Sequence, residues 1–232
     1  MPGVNKPWPS IHAERMRITK LDECGNPITA TPGMLVSDGV IKVSASSQYE
    51  DGEETVKKNG AGKIKFSHKD PDQLKYVNLE IEFVKVDPDA WNIITGNPLV
   101  VDWEGNSTGF RMGSYDVEAN FALELWTDVP GVSCADGEKP FGYFLWPFIG
   151  QGKVGDLEMS VSAADFTLSA TTKPAGAWGK GPYDVVLNPL VAPATAPTPG
   201  PLLTAITDAD HAHVDIVTVA PPAVTAGAVL LA

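Results

Sequence analysis

From Val77 to Phe83 the chain reads VNLEIEF, with Val77, Leu79, Ile81 and Phe83 on one side of an extended backbone and Asn78, Glu80 and Glu82 on the other. Successive side chains of a strand point to opposite faces, so this segment demands a sheet with one dry face and one wet, acidic face. The same alternation recurs at Ile41, Val43 and Ala45, at Ile64 and Phe66, at Val117, Ala119, Phe121, Leu123 and Leu125, and at Leu157, Met159 and Val161. Repeated half-buried strands predict antiparallel sheets. The apolar positions shift by one residue after Phe83 and after Ala163, as a strand end or a β-bulge would cause.

One helix interrupts the strands. Asp87 can cap it, Pro88 suits its first turn, Asp89 favours its positive end and Gly96 can stop it, so a helix is predicted over 88–95. So short a helix is marginal in water, and Trp91 and Ile94 are expected to pin it to a sheet. Across 47–62 the alternation lapses into a polar stretch, with Glu50, Asp51, Glu53 and Glu54 followed by Lys57 and Lys58. It reads as a long loop or protruding hairpin whose segregated charges suit docking.

From Pro189 to Pro201 five prolines fall in thirteen residues, too many for a sheet interior and suited to an extended segment. The expected organisation is an N-terminal arm over 1–14, a β domain over 15–186, and a Pro-rich C-terminal arm over 187–232. A strand is expected at 213–219, able to add to a sheet edge of its own chain or of a neighbour.

Charge and composition narrow the function. The 232 residues carry 17 Lys and Arg against 29 Asp and Glu, a formal charge of -12, which disfavours a surface built to grip phosphates. There is no apolar run of eighteen residues, and MPGVNKPWPSIHAERMR lacks the apolar centre of a signal peptide, so the expectation is a soluble protein made in the cytoplasm with no membrane partner. Cys24 and Cys134 lack metal or disulfide-framework spacing and are expected to be free thiols.

The sequence contains no nucleophile elbow, zinc-protease motif, phosphate-binding loop or dinucleotide fingerprint. His211 and His213 could present two imidazoles on one strand side, but no further ligand cluster accompanies them, so no metal or other cofactor is expected. Glu80 and Glu82 could be a glycosidase-like pair, although carboxylates alternating on a strand more often form a solvated face. Six tryptophans raise a carbohydrate-binding sandwich. Trp126 and Trp146 sit in apolar surroundings that favour packing instead. The expectation is a structural protein rather than an enzyme.

Several segments in order resemble the major tail tube proteins of long-tailed, non-contractile bacteriophages that infect actinobacteria. They are RMRITKLDECGNP (15–27), EDGEETVKKNGAGKI (50–64), LEIEFVKVDPDAWNIITG (79–96), GFRMGSYDVEANFALELWTDVPG (109–131), FGYFLWPFIGQGKVGD (141–156), AWGKGPYDVV (177–186) and HVDIVTVAPP (213–222). The resemblance implies a sandwich or barrel-like body with a flanking helix, forming hexameric rings that stack into a hollow virion tail tube through which double-stranded DNA passes. It also implies partners: further copies of the chain, and the tape measure, terminator and distal tail proteins. A tail terminator or other phage β-structural protein is the related alternative. Under this resemblance Glu80 and Glu82 lead the candidates for the lumen, followed by Glu118, Glu124 and Glu158. Glu50, Asp51, Glu53, Glu54, Lys57 and Lys58 are the candidates for contact between rings.

Overall fold

The computed structural model describes residues 8–85, 87–115, 117–130, 139–158, 165–174, 176–188 and 197–231. The chain is mainly β, as the alternation predicts. Its strands are β1 (Ile11–Leu21), β2 (Met34–Ser37), β3 (Val40–Glu50), β4 (Glu54–Lys58), β5 (Ile64–Lys69), β6 (Gln73–Phe83), β7 (Leu99–Val101), β8 (Ser107–Phe110), β9 (Asn120–Asp128), β10 (Phe141–Glu158), β11 (Asp165–Thr172), β12 (Val186–Asn188), β13 (Thr198–Gly200) and β14 (His213–Val217). One α-helix, α1 (Pro88–Thr95), is present among the described residues. Eight strands form an antiparallel sheet in the order β2-β1-β9-β10-β11-β6-β3, with β14 also on β10.

The sheet becomes two layers because β10 belongs to both. Its first part, Phe141 to Leu145, lies between β9 and β14, and its later part, Ile149 to Glu158, pairs with β11. The register with β9 breaks between Trp146 and Ile149, where Pro147 removes a ladder donor. One layer is therefore β2-β1-β9-β10-β14 and the other is β10-β11-β6-β3. Between them lies a core that includes Met16, Ile18, Leu79, Ile81, Phe121, Leu123, Ile149 and Leu168. The inward residues of β6 are those the alternation selects, and that strand ends at Phe83 where the apolar pattern shifts.

The described residues beyond 186 stay with the body. β14 pairs with β10 of its own chain over five registered positions, so the predicted terminal strand completes the first layer. Trp178, Tyr183, Val185, Leu202 and Ile206 pack with Trp126, Tyr143 and Leu145 in a second core on that layer's outer face. Val229 exchanges backbone hydrogen bonds with Met34 at 2.8 and 3.0 Å, closing the edge of β2. The expected boundary at 186 therefore falls inside a packed unit. Likewise β1 begins at Ile11, within the expected N-terminal arm. Residues 1–7, Cys134, Met159, Val161 and most of the Pro-rich stretch lie outside the described residues.

Helix α1 follows its caps. The Asp87 carboxylate accepts from the Asp89 N–H at 2.9 Å, and Gly96, at φ 72°, donates its N–H to Asn92 at 2.9 Å. Ala90, Trp91, Ile93 and Ile94 are buried, and Trp91 stacks on Phe110 with ring centroids 4.4 Å apart. The helix seats so closely on β10 that a Cβ at Gly152 would lie 2.0 Å from the Ile94 carbonyl oxygen. Truncating Trp91 to Ala should lower the unfolding free energy by about 3–5 kcal/mol in urea titrations. A loss below about 1 kcal/mol would show that the helix is not pinned through this ring.

Candidate functional site

The two layers differ in what covers them. The outer face of β1, β9 and β10 lies under the C-terminal segment, whereas the outer face of β3, β6, β11 and the second half of β10 carries solvent-facing polar residues. Register sets those residues in rows. Ser44 stands opposite Glu80, Glu80 opposite Ser169 and Ser169 opposite Lys153. A second row runs Lys42, Glu82 and Thr167, and a third Ser46, Asn78 and Thr171. A shallow cavity of about 360 Å³ beside Glu80 is walled by Ser44, Ser46, Asn78, Thr167 and Ser169.

Glu80 and Glu82 are brought together on this face, but not as an unrelieved acidic stripe. Glu82 pairs with Lys42 at 3.4 Å, and Lys153 shares the row of Glu80. The face is hydroxyl-rich with compensated charge. Alternation on β6 revealed the carboxylates, while the lysines became visible only once the register joined distant strands.

The other acidic candidates do not join them. Glu118 precedes β9 and binds Lys173, whose hydrogen bond holds the carboxyl below its usual range. Glu158 ends β10, and its side chain is outside the described residues. Glu124 is the clear correction: it is 1% exposed, accepting from Arg17 Nε at 2.5 Å, Arg17 Nη2 at 2.6 Å and the Tyr143 hydroxyl at 2.6 Å. Both faces of β9 are buried, so its alternation marks no wet side. Arg17 also lies over the rings of Tyr183, at 3.4 Å, and Trp126, at 5.1 Å. Two buried charges are tolerable because bidentate geometry and a hydroxyl satisfy them, and removing either partner would strand the other. The cluster fastens the C-terminal cover to the sheet.

The 47–62 stretch is the protruding hairpin of the two readings. β3 continues to Glu50, β4 and β5 form a two-stranded ribbon, and β6 returns from Gln73. Every residue of β4 and β5 is exposed, including Val56, Ile64 at 60% and Phe66 at 53%. Glu50 and Asp51 are engaged in the stem: Glu50 pairs with Lys75 at 2.8 Å, and Lys69 reaches Asp72 at 3.1 Å and Asp51 at 4.0 Å. The Lys75 hydrogen bond holds the Glu50 carboxyl below its usual range. Glu53 and Glu54 are exposed at the base. Lys57 and Lys58, joined by Lys63 and Lys65, make the tip basic.

One further buried polar contact ties distant segments together. The Thr172 hydroxyl meets His211 Nδ1 at 2.8 Å and accepts from the Val77 N–H, but Thr172 is buried and works as a tie between β11 and the segment before β14. Among the described residues no group of three or more His, Cys, Asp and Glu side chains is placed to hold a metal. No helix among them is long and apolar enough to cross a membrane.

Comparison with models of known protein families and with curated proteins finds no match to this sequence.

The covered layer has a pH signature. Burial pushes the Tyr183 phenol up to about 12, and burial followed by the nearby Glu124 charge raises Tyr143 well above its ordinary range. As pH rises past about 10 the unfolded chain releases these protons while the folded chain keeps them, so stability falls. Between pH 10 and 12 the unfolding free energy should drop on the order of 2 kcal/mol through Tyr183. The Tyr183→Phe variant should lose correspondingly less over that window, and equal slopes for the two proteins would contradict the assignment.

Proposed function

We propose that the chain is the repeating structural subunit of a hollow tube, of the kind found in bacteriophage tails, and that it works by self-association rather than catalysis. The observation that carries this reading is the bare layer β10-β11-β6-β3, which ends in two free edges. Among the described residues no strand pairs with the outer edge of β3, or with the edge of β10 opposite β11 beyond Gly150. Unpaired edges of this length are templates for further pairing, and closure into a barrel removes them.

The strand directions support closure between copies. All pairings in the layer are antiparallel, so four strands alternate and β3 of one copy meets β10 of the next in the antiparallel sense. Such a contact joins different patches and propagates around a ring. Six copies, the number that the resemblance implies, would contribute roughly 24 strands. At about 4.8 Å spacing these give a backbone diameter of about 37 Å untilted and about 48 Å at a tilt of about 40°. The lumen would then present Glu80, Glu82, Lys42, Lys153 and the serine and threonine rows.

This wall differs from a purely acidic one. Retention of duplex DNA needs Lys and Arg free to neutralise phosphates, and here Lys42 is offset by Glu82 and Lys153 is matched in its row by Glu80. A hydroxylated surface of compensated charge lets a polyanion pass without holding it. The hairpin supplies a second contact, between rings. A two-stranded ribbon is marginally stable alone, and its exposed Ile64 and Phe66 gain most from cover on another copy, with Lys57, Lys58, Glu53 and Glu54 setting charge complementarity. Tape measure, terminator and distal tail proteins are the further partners this role requires.

Negative-stain microscopy of the purified chain tests the proposal. Rings or hollow tubes of uniform width are expected. A monodisperse monomer at all concentrations, with saturable glycan binding in its place, would overturn it.

A further inference from the structure

Trp103 is 90% exposed, the most exposed of the large hydrophobic side chains described. Its setting is ordered. Asp102 accepts from the Glu104 and Asn106 N–H groups at 2.9 and 2.8 Å, Gly105 donates to the Asp102 carbonyl at 3.1 Å, and Gly105 takes φ 90°. The same five-residue turn occurs at Asp22 to Asn26 and at Asn59 to Lys63, with the third hydrogen bond and the left-handed glycine in each. It is a type I turn closed by a glycine bulge, a stiff hairpin end. The stem is held as well: Phe110 stacks on Trp91, and the Ser107 hydroxyl donates to Asp89 at 2.7 Å. An indole presented to water at the end of an ordered hairpin costs little backbone entropy when it is buried.

A seat of suitable chemistry exists elsewhere on the chain. Between the layers, beside the free edge of β3, a groove of about 540 Å³ is walled by Val43, Ala45, Val77, Leu125, Phe144 and Val214. His12 and Lys42 also line it, and no carboxylate does. The hairpin end is of opposite sign, with Asp102 and Glu104 on either side of Trp103. No residue of β7, β8 or their turn lines the groove of its own chain.

We propose that Trp103 of one copy seats in this groove of a second copy, with Glu104 beside Lys42 of the receiving chain. The proposal rests on the self-assembly described above and deepens it by naming an anchor and its receptor. Knob and groove are different patches on each chain, so the contact is head-to-tail and repeats without limit unless it closes. Aromatic anchors in desolvated pockets carry a disproportionate share of interface energy.

The test compares the full chain with its Trp103→Ala variant by circular dichroism, thermal melting, pelleting and negative stain. The parent should assemble; the variant should keep the parent's spectrum and melting temperature, yet need a concentration roughly thirtyfold higher to pellet, as loss of a hot-spot ring implies. Equal pelleting of both proteins would overturn the Trp103 contact while leaving the tube proposal standing, and a parent that never assembles would overturn both. The receptor is tested with Lys42→Cys and Glu104→Cys combined, Cys24 and Cys134 being replaced by Ser. Oxidation of assembled protein should give a ladder of covalent oligomers, and monomers alone would overturn the groove as the seat.

Discussion

Pro147 sits where β10 must serve two layers, and most of the architecture follows from that bend. A strand of this length cannot stay in one flat sheet while β14 and β11 occupy the same edge at different heights. The missing donor and the slipped register at Trp146 to Ile149 let the chain turn between them. The layers fold toward each other around Ile149, and α1 packs against the core they enclose.

From the bend comes an asymmetry. Where β9 meets the first half of β10 the layer is dry on both faces, since the returning C-terminal segment brings Trp178, Tyr183 and Leu202 onto it and encloses Arg17 with Glu124. That ion pair need not add stability over an apolar substitute, but once buried it fixes the register of the cover, because any displacement strands a charge. The layer holding the second half is dry on one face only and ends in unpaired backbone. Physical demand for partners is thus concentrated in one place: the free edges, the bare hydroxylated face and the fully exposed hairpin all belong to the same four-stranded unit. A surface of this kind resembles an assembly face more than a ligand pocket, and it is this concentration that gives the tube proposal its support.

Local signals made part of this legible. The alternation at Val77 to Phe83 gave the strand and its facing, and Asp87, Pro88 and Gly96 bounded α1, because each depends only on near neighbours. Glu124 was misleading because alternation reports one side of a strand, while the segment that buries the other side begins more than fifty residues later. The compensation of Glu82 by Lys42 was hidden for the same reason, being a matter of register across strands. The prolines at 189–201 suit an extended segment, and Pro199 lies in the short strand β13, but nothing local to them could indicate that the chain returns to β10 and β2. Trp103 did carry a readable signal: Asp-x-x-Gly-Asn occurs at Asp22 and again at Asp102, and a tryptophan inside such a turn has little to pack against.

Amide hydrogen exchange on free and assembled protein addresses the central claim most directly, because backbone pairing at an edge leaves a protection pattern that side-chain contact does not. If β3 of one copy pairs with the second half of β10 of the next, alternate amides of Val40–Glu50 and of Gln151–Glu158 should pass from fast to strongly protected on assembly. Amides of β9 and of Met16–Thr19 in β1, already paired on both sides, should change little. Assembled particles in which the β3 and β10 edge amides exchange as fast as in the free chain would contradict the account.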